Sequence, residues 1–212
     1  MADAVSSPAP STTPATTVAA AAQIMGAGNF HGVKALTTLG ATLSAKEKRA
    51  FKTVPFSAEV LTACRDTHVL VACAGISFME VWRLKTSLFY AKDNPWFKGH
   101  DFAQAKVKAG WYLVRRDLVP DSTLMSWTDQ LNLLMEVEEV PRASVLAQAI
   151  LIHYLETDER LFPGIYVRVS DVDSDGDRVY LGRFDQDGLL VDAYWDTFRF
   201  SSVGVSASRK LG

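Results

Sequence analysis

The sequence has little cysteine, no long apolar run and almost no net charge, and each shortage excludes a class of protein. Cys64 and Cys73 belong to no CxxC or Cys/His cluster with metal-ligand spacing, so we expect two buried thiols in a reducing compartment. The longest apolar stretch, 145–155, is interrupted by Gln148 and His153 and is too short to span a membrane. The formal net charge of −2 gives no global positive field for binding phosphate backbones or anionic lipid.

Lysine and arginine are missing from the first 33 positions, where Asp3 is the only side chain with a formal charge. Secretory signals need a basic start with a Leu-rich core, and transit peptides need arginine, so we expect a cytoplasmic protein. Residues 2–22 are nearly all Ala, Ser, Thr, Pro and Val, and their three prolines oppose a helix. The sequence therefore predicts a disordered tail over residues 1–25 and a single globular domain over residues 26–212.

Helix start signals recur along the predicted domain. Ser44 with Glu47 and Ser77 with Glu80 each form a capping box, in which serine and glutamate satisfy orphan backbone N–H groups. Ser57 and Ser126 are further N-cap candidates, and Pro141 suits a first helical turn. The signals predict short helices within 29–65 and longer ones over 78–90, 127–136 and 142–157, with Phe78 and Trp82 among the core-facing residues, and a helix of about eight residues after Asp101.

Apolar β-rich segments predict the strands. Residues 68–74 and 111–119 suit two isolated strands, the first continuously apolar and therefore buried. Residues 165–172, 178–185 and 189–195 alternate with Asp/Gly turn signals, which predicts an antiparallel three-stranded meander. Helices and two isolated strands followed by a C-terminal meander indicate the α+β class.

Several strings between residues 96 and 210 resemble a group of uncharacterised bacterial proteins met in environmental genomes. The strings include Trp96-Phe97, Gly110-Trp-Tyr-Leu-Val-Arg115, Glu138-Glu-Val-Pro141, Glu159-Arg-Leu-Phe162 and the stretch from Tyr166 to Gly176. The resemblance implies a bacterial, single-domain protein, and it implies no activity, ligand or catalytic residue.

The aspartates Asp171, Asp173, Asp175 and Asp177, with Gly176, match the start of an EF-hand calcium loop. The match fails at two positions that a calcium-binding loop requires. The eighth position is Arg178 and the twelfth is Gly182 instead of a bidentate glutamate. A hairpin turn rich in Asp and Gly explains the same letters. We therefore expect no metal here and keep the four aspartates as the only metal candidates.

His153 and Glu156 lie about one helical turn apart and could act as a base and its orienting carboxylate. A histidine at the polar edge of a buried helix explains the pair equally well. No GxSxG, SxxK or phosphate-binding glycine loop is present in the sequence, so no nucleophile is indicated and no cofactor is expected.

Lys106, Lys108, Arg115 and Arg116 lie near Trp111 and Tyr112 and make the most basic and aromatic zone of the sequence. Such a combination can bind single-stranded nucleic acid, although two basic pairs are also typical of a solvated surface.

With five tryptophans and no convergent catalytic set, we expect a non-enzymatic protein-interaction or assembly module, with an unknown protein partner or self-association. A carboxylate-based hydrolase and a nucleic-acid-binding protein are the alternatives.

Overall fold

The computed structural model describes residues 15–211 and confirms the α+β class. Its helices are α1 (Val18–Met25), α2 (Val33–Leu39), α3 (Ala45–Arg49), α4 (Ala58–Cys64), α5 (Phe78–Leu84), α6 (Asp101–Gln104), α7 (Trp127–Leu131) and α8 (Ala143–Thr157), with 3-10 turns at Thr86–Leu88 and Trp96–Gly99. Its strands are β1 (Thr16–Thr17), β2 (Phe30–His31), β3 (Thr53–Val54), β4 (His68–Cys73), β5 (Gly110–Arg115), β6 (Glu138–Glu139), β7 (Tyr166–Val172), β8 (Arg178–Asp185), β9 (Gly188–Tyr194), β10 (Val203–Val205) and β11 (Ser208–Arg209).

The strands form two larger sheets and one small ribbon. The five-stranded sheet has the order β2-β4-β5-β11-β6, with β2 parallel to β4 and all other neighbours antiparallel. The four-stranded sheet has the order β10-β7-β8-β9, in which the predicted meander β7-β8-β9 gains β10 as a parallel edge strand. The two strands predicted as isolated, β4 and β5, pair with each other, and β1 pairs with β3.

Helix α8 contacts strands of both larger sheets. It contacts β2, β4 and β5 of the five-stranded sheet, β7 and β8 of the four-stranded sheet, and the helices α2, α5 and α6. Its first eleven residues, 143–153, are all buried, as expected of a helix that is apolar all round. The Asp171 carboxylate accepts the backbone N–H of Ala143 at 2.6 Å, which supplies the N-terminal cap that Arg142 does not provide.

The predicted caps at the serines form as expected. Both capping boxes are present, Ser44 with Glu47 and Ser77 with Glu80, and Ser57 accepts the backbone N–H of Val60. Helix lengths are less well predicted, because α5 ends at Leu84 and α7 at Leu131, several residues before the expected ends. Trp82 is only half-buried and donates from Nε1 to the carbonyl of Ala91, whereas Phe78 is fully buried.

The N-terminal tail differs from the prediction where the structure describes it. Residues 1–14 lie outside the described residues, but β1 and α1 occupy positions assigned to the tail. Ala21 and Met25 are buried, and Thr16 donates its hydroxyl to the carbonyl of Phe56 at 2.6 Å. The alanines and methionine of this stretch supply enough apolar surface to dock a short helix against α4.

Within residues 15–211, every helix is too short or too polar to cross a membrane.

Candidate functional site

A cavity of about 410 Å³ lies between one face of the five-stranded sheet and helix α4. We call it the arginine pocket, and it is lined by Glu59, Val60, Ala63, Cys64, Thr67, His68, Arg115, Met135, Glu138 and Arg209. The helix contributes Val60, Ala63 and Cys64, whose three- and four-residue spacing places them on one face.

Strand register explains why the polar lining residues converge. His68 of β4 lies opposite Arg115 of β5, and Arg209 of β11 lies opposite Glu138 of β6. Ala207 lies opposite Arg115, since it accepts the Arg115 N–H and Ser208 pairs with Val114. Residues opposite each other, or two apart on one strand, project from the same face. All four polar side chains therefore share the face that α4 covers.

Three polar atoms of the arginine pocket are buried without a hydrogen-bond partner. They are His68 Nε2, Arg115 Nε and Glu138 Oε1, three of five such atoms among residues 15–211. His68 and Glu138 are only 3% and 5% exposed. A buried polar atom left without a partner costs about 1 to 3 kcal/mol, so native proteins keep such atoms few. Their clustering around one cavity makes the arginine pocket the candidate site.

The charged groups of the pocket are not paired with one another. Among residues 15–211, neither Arg115 nor Arg209 forms an ion pair within 4.0 Å, although Glu138 stands opposite Arg209. Glu138 instead accepts the backbone N–H of Met135 with its other oxygen at 3.1 Å. Two guanidinium groups and one carboxylate oxygen of the lining are thus without a partner among residues 15–211.

His68 is neutral at physiological pH. Burial, together with the charges of Arg115 and Arg209, lowers its pKa to about 4. The Thr67 hydroxyl lies 2.8 Å from His68 Nδ1 and donates to the carbonyl of Cys64 at 3.4 Å. A neutral imidazole carries one ring proton, and its place on Nδ1 or on Nε2 sets whether Thr67 accepts from Nδ1 or donates to it.

The thiol of Cys64 is not an activated nucleophile. Burial raises its pKa above the ordinary value, and the positive charges of Arg209 and Arg115 oppose that rise without reversing it. A thiol is reactive mainly as the thiolate, so this cysteine is protonated and inert at neutral pH.

The histidine singled out by the sequence, His153, has a different partner from the one expected. Its Nε2 lies 3.3 Å from a carboxylate oxygen of Glu159, and its Nδ1 lies 2.9 Å from Nε2 of His31. A carboxylate accepts only, so His153 carries its proton on Nε2 and accepts from His31. Glu156 is exposed, on the outside of the helix.

This histidine pair is closed to solutes. His31 and His153 are 1% and 0% exposed, and their pKa values are lowered by burial first of all. Arg116 donates to both Glu159 and Asn29, which closes the network at the surface. The arrangement ties β2 to α8 and offers no room for a substrate.

The four candidate metal aspartates serve the β7–β8 hairpin and the start of α8. Asp171 accepts two hydrogen bonds from Arg142 and one from Ala143, which occupies both of its oxygens. Asp173 Oδ1 accepts the backbone N–H groups of Asp175 and Asp177, which forms the predicted turn. Residues 15–211 contain no group of three or more His, Cys, Asp or Glu side chains placed to hold a metal ion.

The four basic candidates for nucleic acid lie in three separate places. Lys106 and Lys108 line a second cavity beside Tyr112, and Lys106 pairs with Glu80. Arg115 lines the arginine pocket, and Arg116 belongs to the histidine network. The described part of the chain therefore does not bring these four side chains into one stripe.

Sequence reasoning missed Glu138 and Arg209 altogether. Glu138 lies in an acidic run that matches no site motif, and Arg209 belongs to a two-residue strand with no pattern of its own. A basic residue near the end of the chain and an acidic one before Pro141 become neighbours only because β11 inserts between β5 and β6.

Comparison of the chain with protein-family models, curated proteins and solved structures gave no match.

Proposed function

We propose that the protein is a non-enzymatic binding protein whose arginine pocket takes a small organic carboxylate. The observation that carries the proposal is the convergence of three buried, unpartnered polar atoms on one cavity lined by two unpaired arginines. Arginine is the residue best suited to hold a carboxylate, because its planar fork of donors matches the two oxygens.

The other lining residues favour an organic carboxylate over phosphate. Val60, Ala63 and Met135 give the cavity an apolar wall suited to a carbon skeleton. Glu59 and Glu138 also line it, and their negative charges would repel a doubly charged phosphate. The raised pKa of the Cys64 thiol supports binding over covalent catalysis at this site.

Isothermal titration calorimetry tests the proposal. The wild-type chain is titrated with 4-methylpentanoate, with inorganic phosphate and with 3-methylbutylamine, which keeps the carbon skeleton without the acid. We expect the carboxylate to bind and phosphate to bind more weakly. Arg115→Met and Arg209→Met should each weaken carboxylate binding by about tenfold or more, since a charged hydrogen bond contributes about 1.5 to 3 kcal/mol.

Arg65→Met is the matched control. Arg65 lies just after α4, outside the pocket lining, and pairs with Asp66 at the surface. We expect it to leave the affinity unchanged. Equal losses in all three variants would assign the effect to general charge, and absence of carboxylate binding by a folded wild-type chain would overturn the proposal.

Self-association is a second candidate function, and one segment favours it. Leu131, Leu133, Met135 and Val137 are exposed, and strand β6 that follows them is an edge of the five-stranded sheet. An edge strand can pair antiparallel with its own copy, which would bury these side chains across a twofold axis. Sedimentation velocity over a hundredfold concentration range should then reveal a monomer–dimer equilibrium, and a constant monomer mass would exclude it.

A further inference from the structure

The arginine pocket carries acceptors as well as donors, which bears on what else its ligand contains. Glu138 Oε1 is buried, unpartnered and able only to accept. His68 Nε2 is also buried without a partner. A simple carboxylate would satisfy the arginines and leave Glu138 without a partner of opposite charge.

The lining of the arginine pocket carries equal numbers of positive and negative side chains. Arg115 and Arg209 supply two positive charges, Glu59 and Glu138 supply two negative charges, and His68 is neutral. Glu59 lies at the exposed rim, and a backbone N–H and the Ser57 hydroxyl lower its pKa, so it is ionised at neutral pH. Opposite charges held apart in one cavity complement a ligand that carries both signs.

We propose that the ligand of the arginine pocket is a zwitterion, namely a free amino acid with an apolar side chain. Its carboxylate binds Arg115 and Arg209, and its ammonium lies against the carboxylate of Glu138. Its side chain packs against Val60, Ala63 and Met135, and a cavity of about 410 Å³ has room for it. This inference rests on the proposed function, which supplies the carboxylate half.

Three ligands with one carbon skeleton separate the inference from the proposed function. L-Leucine carries both groups, 4-methylpentanoate lacks the ammonium, and 3-methylbutylamine lacks the carboxylate. Calorimetric titration of the wild-type chain should give leucine an affinity about tenfold or more above that of 4-methylpentanoate, because a charged hydrogen bond forms only with leucine. The amine should not bind measurably.

The variant Glu138→Gln tests the assigned acceptor. Glutamine keeps the shape of the side chain and removes the charge, so the preference for leucine over 4-methylpentanoate should disappear. Glu139→Gln is the matched control, since Glu139 is exposed and lines the cavity on the opposite face of the sheet. It should keep the wild-type preference.

Each outcome decides one claim. Equal affinities for leucine and 4-methylpentanoate would overturn the zwitterion and leave the carboxylate site standing. Binding of neither would overturn the proposed function itself. A preference that survives in folded Glu138→Gln would overturn the role given to Glu138, and the comparison of ligands on the wild-type chain decides the main point even if that variant does not fold.

Discussion

His68, Arg115 and Glu138 differ from Asp171 in how completely their polar atoms are satisfied. Asp171 accepts three hydrogen bonds from Arg142 and Ala143 and has nothing left for a ligand. The three side chains of the arginine pocket each keep a buried atom without a partner. Residue type alone would rank an Asp cluster above a lone glutamate as a site, and hydrogen-bond satisfaction reverses that order.

Buried histidines make the folded protein sensitive to mild acid. Burial lowers the pKa values of His31 and His68 from 6.5 to about 4. Between pH 6.5 and pH 4 these histidines are protonated in the unfolded chain but neutral in the folded chain. Their contribution to the free energy of unfolding is therefore fully present above pH 6.5 and falls as the pH drops to 4. We expect a loss on the order of 2 to 3 kcal/mol per histidine, measured by urea unfolding at several pH values.

The variant His68→Gln separates one histidine from the other groups. It should reduce the slope of the free energy of unfolding against pH in this window, because it removes one histidine whose pKa is lowered by folding. A slope identical to that of the wild-type chain would show that His68 titrates normally in the folded state.

At the scale of the helix and strand, local chemistry predicts where elements begin better than where they end. The serine caps of α3, α4 and α5 follow from side-chain to backbone hydrogen bonds within four residues. The end of α5 at Leu84 is also local, since the Lys85 N–H and the Thr86 hydroxyl both donate to the carbonyl of Trp82. No signal of comparable strength marks that end in the sequence.

Removal of residues 1–26 should destabilise the fold because it deletes β1 and α1. These elements bury Ala21 and Met25, and α1 contacts α4. Replacing a buried methionine by alanine costs about 2 to 5 kcal/mol, and the whole helix buries more than that one side chain. Thermal melts should show a midpoint lowered by more than a few degrees.

Removal of residues 1–14 alone is the control for this truncation. The Ala/Ser/Thr/Pro composition of that stretch predicts little buried area, so the melting midpoint should stay at the full-length value. Equal effects of the two truncations would contradict the packing role of α1.

The β7–β8 hairpin should be indifferent to calcium. Both oxygens of Asp171 are occupied, and Asp173 Oδ1 already accepts two backbone N–H groups of the turn. A ligand that binds only the folded state must raise its stability, by about 4 kcal/mol at a thousandfold excess over Kd. Thermal melts in millimolar calcium and in chelator should therefore superimpose, and a calcium-dependent rise that Asp175→Asn removes would identify the aspartates as ligands.

At the scale of the whole molecule, the sequence predicts the α+β class and the meander but not the arrangement around α8. The apolar character of 142–157 indicates a buried helix, which the structure confirms. The pairing of β4 with β5 and the insertion of β11 between β5 and β6 are long-range choices that depend on how the sheet closes. The candidate site depends on those pairings. Of its two arginines, the sequence therefore indicates only Arg115 as a candidate binding residue.

The central claim is that a carboxylate binds at Arg115 and Arg209, and a crystal of the protein soaked with 4-bromobenzoate tests it most directly. The bromine gives an anomalous signal, and the inert ring suits the apolar wall of Val60, Ala63 and Met135. We predict an anomalous peak inside the arginine pocket, with the carboxylate oxygens about 3 Å from both guanidinium groups. An empty pocket at saturating ligand, or a peak only elsewhere on the protein, would contradict the account.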